Sequence, residues 1–185
     1  MRDSTPLTAN LQRNFHHLYG DIFWFGVLTG STLAFLAIYA ARRGASGFQV
    51  SLLSAGPALM NLLLSLPAGR WIEGKPLVRV SFWSAFWQRL GYVAIIPLAC
   101  WLQPDAEIWT IIGITLVMSA PATFLNVGFN ILLAELVPAD WRGEVVGKRT
   151  ALLALSTTAA TILCGQILNW LPFPLNYQIV FAIGA

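Results

Sequence analysis

Ser119, Thr123, Asn126 and Asn130 recur at spacings of four, three and four, which sets four hydrogen-bonding side chains along one face of a helix. On a wet wall such a row holds water or a polar solute; in hydrocarbon each asparagine must find a protein partner. A lighter row runs Ser54, Ala58, Asn61 and Ser65, and a third runs Thr158, Thr161, Gly165 and Asn169. Small, weakly polar residues also let helix backbones approach closely. Packing therefore accounts for most of the serines, threonines and glycines, whereas Asn126 and Asn130 point to a cavity wall. Ser119, Thr123, Asn126, Asn130 and Asn61 form the candidate solute path. Arg89 joins them from within another apolar run. A mid-bilayer arginine costs about 3 kcal/mol on insertion scales and turns toward protein or water. It either meets an anionic group in a cavity or snorkels to the interface.

Reaction chemistry finds little footing. The chain has no HExxH, no GxSxG, no phosphate-binding loop and no metal-spaced Cys/His set, so neither enzyme activity nor a metal or cofactor is expected. Cys100 and Cys164 read as packing residues. The adjacent His16 and His17 would point about 100° apart on a helix, a poor metal pair. Asp21 reads as a carboxylate matched to the dipole at a helix start. In the first run, Gly26 and Gly30 form a GxxxG step, the usual mark of close helix contact.

The elements that must position these residues follow from composition. Of 185 residues, 57% are hydrophobic and 10% charged. A soluble domain carries about 25% charge, so lipid is the economical solvent. Apolar runs of membrane-spanning length occur at about 22–41, 50–68, 80–102, 108–136 and 151–171. A sixth starts at Tyr177 and stops at Ala185, which implies an incomplete half or one finished by partner helices. Runs this long without strict alternation are helices, giving an all-α integral membrane protein. The tryptophans Trp71, Trp101, Trp109, Trp141 and Trp170 fall near the run ends, as an interfacial belt does.

Charge sets the orientation. With the amino terminus inside, Arg2, Arg13, Arg70, Lys75, Arg79, Arg142, Lys148 and Arg149 are cytoplasmic, and only Arg42 and Arg43 lie outside. The net charge of +3 is spread over separate loops, which favours topology over nucleic acid as its purpose.

Two of those loops carry a family resemblance. Pro67-Ala68-Gly69-Arg70-Trp71-Ile72-Glu73-Gly74-Lys75 resembles the signature loop after the second helix of major facilitator superfamily transporters. That signature runs glycine, three residues, Asp-Arg, one residue, Gly-Arg and a further base; here Gly69 stands in the aspartate's place and the acid follows as Glu73. The stretch from Glu135 through Pro138, Arg142, Gly143 and Glu144 to Gly147 resembles the family's fourth-to-fifth-helix loop. The resemblance covers residues 1–185 as an amino-terminal half. It implies a six-helix unit of 3+3 inverted repeats, with first and fourth helices lining the cavity and the third mostly outside it. It also implies a cytoplasmic gate with Arg70, Lys75 and Arg142 as bases and Glu73 or Glu144 as acid.

The expected activity is alternating-access transport of a small solute across the cell (inner) membrane, by a half that needs its carboxy-terminal counterpart. The competing expectation is a scaffold or half-size subunit that lends helices to a partner and transports nothing.

Overall fold

The computed structural model describes the backbone of residues 9–185 and the side chains of residues 18–98, 101–138 and 140–185. Arg2 lies outside the described residues, and the readings made for Arg13, His16, His17 and Cys100 rest on side chains outside the described ones. Every described element is helical: α1 (Ala9–Leu28), a π-helical turn (Thr29–Leu33), α2 (Ala34–Arg42), α3 (Gly47–Ile72), α4 (Leu77–Ile95), α5 (Leu98–Trp101), α6 (Pro104–Leu136), α7 (Ala139–Trp170) and α8 (Leu175–Gly184). Four stretches are long and apolar enough to cross a membrane: Leu18–Arg42, Gly47–Ile72, Pro104–Leu136 and Asp140–Trp170. Leu77–Ile95 is not among them. It has 19 residues, but Arg79, Gln88 and Arg89 lower its hydropathy.

The helices are longer and differently interrupted than the apolar runs suggest. The run at 80–102 breaks at Pro97, which supplies no amide hydrogen, and Leu98–Trp101 forms a separate turn. The basic stretch after Pro138 is helix, so Arg142, Glu144, Lys148 and Arg149 all belong to α7. Helix is favoured there by Asp140 in the first turn and by the Glu144–Lys148 pair one turn apart, 2.8 Å. Only Val137 and Pro138 separate α6 from α7. Where turns do form, the backbone marks them: Gly44 and Gly74 hold φ of +95° and +73°, a region glycine enters without steric cost. After Gly44, Ser46 and Gln49 close a reciprocal cap on the first turn of α3.

Two sets of helices pack separately and meet along shared edges. The continuous α1–α2 helix lies against α7 and α8, and α6 lies against α3 and α4. Contacts between α2 and α3 and between α4 and α8 join the sets. Glycines permit the closest approaches. Gly26 and Gly30 face Ser156 and the Thr157 carbonyl of α7, as the GxxxG step predicts, and Gly56 and Gly91 face Leu116 and Met118 of α6. Outward faces stay apolar, with Leu62 and Leu66 on α3, Phe82 and Trp83 on α4, and Ile162 and Leu163 on α7 all exposed. Lipid covers such faces without cost; water would not.

The π turn is the one irregular point in the α1–α2 span. It bonds to neighbours in both directions: its Gly30 oxygen accepts from Thr161 Oγ1 of α7 at 3.0 Å, and its Thr32 Oγ1 donates to the Phe181 oxygen of α8 at 3.3 Å. Thr161→Val should cost about 0.6 kcal/mol, the average for a hydroxyl bond between membrane helices. A midpoint unchanged within error in thermal unfolding would contradict a role for this bond.

Candidate functional site

Where the two helix sets face each other they flank an open cavity of about 410 Å³. α1 supplies Asp21 and Phe25, the π turn supplies Leu33, and α3 supplies Asn61. Gln88 and Tyr92 come from α4, Ser119, Thr123 and Asn126 from α6, and Arg149 from α7. Five helical segments, α1 with its π turn, α3, α4, α6 and α7, therefore build one chamber. Its polar groups are a carboxylate, a guanidinium, three carboxamides and two aliphatic hydroxyls, set among the aromatic walls of Phe25, Tyr92 and Phe129.

The α6 stripe reaches this wall, and each residue arrives differently. Ser119 and Thr123 are buried, and their hydroxyls donate back to the carbonyls one turn earlier, Thr115 at 2.7 Å and Ser119 at 2.8 Å. Those bonds brace the helix on either side of Pro121, whose position leaves one ladder bond unmade. The oxygen lone pairs stay free to accept from a guest. Asn126 lies in the wall and Asn130 does not; Asn130 is exposed and its Nδ2 stands 3.4 Å from Asn126 Oδ1. Asn61 also lies in the wall, accepting from Ser65 Oγ at 2.9 Å.

Arg89 is half-buried on α4, outside the lining but within electrostatic range of Asp21. Arg149 is the cation that lines the chamber. Its guanidinium stacks 4.0 Å from the Phe129 ring centroid, and its Nε is buried without a hydrogen-bond acceptor. Asp21 shares the chamber and interacts electrostatically with Arg149. An arginine held on an aromatic face with a donor unspent is arranged to receive an anion. The opposing carboxylate adds a place for a cationic or protonated group.

Sequence reasoning missed Asp21, Gln88 and Arg149 as site residues. Asp21 lies twelve residues into α1 rather than at a helix start, so dipole matching does not account for it. Arg149 was counted with a loop. The buried stripe Ser156, Ala160 and Cys164 on α7, carried back by seven from Ser156, lands on Arg149 and would have found it.

The gate candidates cluster at one end. Gly128 of α6 faces Ser81 of α4 and Ile72 at the end of α3, so the α3–α4 turn and the later turns of α6 lie toward the same end of the bundle. Arg70 and Glu73 are exposed, and Lys75 lies over the Trp71 ring, 2.8 Å from its centroid. Arg142 donates to the Ala134 and Val137 carbonyls, at 2.9 and 3.4 Å, closing the end of α6. Glu144 pairs with Lys148.

At the opposite end lies a cluster around Arg43, a residue that charge counting assigned only to topology. Glu107, 1% exposed in the first turn of α6, has its Oε2 2.7 Å from Arg43 Nη2. Tyr39 Oη donates to Glu107 Oε1 and accepts from Arg43 Nε at 3.2 Å. Phe173 and Tyr177 pack on Tyr39 at ring-centroid distances of 5.8 and 5.1 Å, and Arg43 also lies 5.5 Å from the Phe173 ring. This group ties α2, α6 and α8 together away from the chamber.

No protein-family model, curated protein or solved structure matches the chain.

Proposed function

We propose that the chain is the amino-terminal half of a secondary transporter of the major facilitator type, moving a small polar solute by alternating access. The helix contacts carry this reading. Counting α1–α2 as span one, α3 as two, α4 as three, α6 as four, α7 as five and α8 as the start of six, span one touches five and six while span four touches two and three. Exchanging one with four, two with five and three with six turns the first set of contacts into the second, while the contacts of one with two and of five with six have no counterpart of similar extent. The contact of three with six maps onto itself. Two inverted three-helix repeats generate that exchange.

In this reading span four forms the chamber's main wall, spans one and two line it about equally, and span three reaches it through Gln88 and Tyr92; a second half closes over it across the exposed faces of α3 and α7. Arg149 receives the anionic group of the solute, while Asp21, Asn61 and Asn126 take its polar remainder. The basic end holding Arg70, Glu73, Lys75, Arg142 and Glu144 faces the cytoplasm of the cell membrane, with the amino terminus on that side. Those residues contact the second half in one end state.

Alternating exposure is the measurable consequence. With Cys100 and Cys164 replaced, a single cysteine at Asn61 or Asn126 should react with a membrane-impermeant thiol reagent in both right-side-out and inside-out vesicles of the native membrane. Labelling from one side only, or from neither, sinks the transporter reading and favours a non-transporting scaffold.

A further inference from the structure

We propose that a groove on the lipid-facing side of α4 and α6 binds one anionic phospholipid from the leaflet that contains the α3–α4 turn. The groove measures about 720 Å³ and is separate from the solute chamber. Its walls are Trp83 and Trp87 on α4, Met118, Pro121 and Phe124 on α6, and Trp71 at the end of α3. Trp71 packs edge-on against Phe124 at 5.3 Å, fixing one side of the trough. The three indoles are each about half exposed, at 54, 51 and 52%, so the groove opens outward rather than into the bundle.

Polarity and charge select the occupant. The interior offers almost nothing to a polar solute, whereas a hydrocarbon chain fits it throughout. Two cations, Lys75 and Arg79, line one end only. Lys75 is held over the Trp71 ring, and Arg79 is exposed with no carboxylate partner among the described residues. From Arg79 to Trp87 the helix rises about 12 Å, most of the roughly 15 Å of hydrocarbon in one leaflet. A phospholipid of that leaflet sets its phosphate beside the cations as its acyl chain descends past the indoles. A zwitterionic lipid satisfies the trough but leaves the excess positive charge unmatched.

The test uses the whole chain in phosphatidylcholine bilayers, with tryptophan fluorescence quenched by dibrominated phosphatidylglycerol or dibrominated phosphatidylcholine. The parent should associate with the phosphatidylglycerol about fivefold more strongly or better, on the scale of one surface cation's attraction to anionic lipid. Lys75→Ala/Arg79→Ala should bring the ratio to about unity. Ala120→Phe, which fills the groove and leaves both cations in place, should do the same. Arg42→Ala, at the other end of the bundle, should leave the preference intact. Equal quenching of the parent by the two lipids overturns the proposal, as does a preference that survives either the double substitution or Ala120→Phe.

Discussion

Glu107→Ala should lower the thermal stability of the detergent-solubilised chain more than alanine at any other described charged residue. The carboxylate is 1% exposed, neutralises Arg43 at 2.7 Å and accepts from Tyr39. Removing it takes the buried carboxylate away from a guanidinium packed beside Tyr39 and Phe173, a change that costs about 3–5 kcal/mol. For a chain of this size that is a fall in the midpoint of about 10 °C. Replacing both partners, as Arg43→Met/Glu107→Met, should restore most of the loss, because the desolvation cost of both charges disappears with them. Cys164, buried at 1% exposure, provides the readout: a fluorogenic maleimide reports its exposure on heating once Cys100 is replaced. Equal midpoints for Glu107→Ala and the parent would mean that the cluster holds nothing together.

The second large effect lies in the α1–α7 contact, where two glycines one turn apart should respond differently to the same methyl group. At Gly26 an added Cβ meets the Ser156 side chain; at Gly30 it meets the Thr157 backbone carbonyl. Overpacking of this kind costs about 1–3 kcal/mol, and more where the neighbour cannot move. Gly26→Ala should therefore be largely rescued by Ser156→Gly. Gly30→Ala should resist rescue by any side-chain change at Thr157, since the obstructing atom is main chain. Both comparisons use the same Cys164 exposure assay, and rescue of Gly30→Ala by Thr157→Ala would show that the helices slide past one another instead.

Much of this architecture was open to reading before any coordinates. Long apolar runs must be helices because lipid leaves backbone groups no other partner, and the GxxxG step announced a close helix contact without naming its partner, α7. The polar row on α6 placed Ser119, Thr123 and Asn126 at the chamber wall, while Asn130, on the same face by spacing, falls outside it. Spacing assigns a face, and only the neighbouring helices decide where along that face the wall ends. Glu107 and Arg149 escaped for a shared reason. Hydropathy cuts a helix where charge begins, so a charged residue in its first three turns is assigned to a loop. α6 begins three residues before Glu107, and α7 begins ten before Arg149. Both side chains turn inward because tertiary partners repay their burial, and a composition window contains no information about partners.

The π turn at Thr29–Leu33 sets the phase of everything beyond it. Asp21 and Leu33 both face the chamber, yet twelve residues of unbroken α-helix would leave them pointing about 120° apart. A wider turn absorbs one residue and brings them back to within about 20°. The same offset aims Tyr39 at Glu107. Deleting one residue here would turn the wide turn into regular α-helix and keep that alignment, whereas adding one residue to the flanking α-helix would turn the whole outer third by about 100°. The turn should therefore tolerate the loss of a residue, and the helix beside it should refuse a gain.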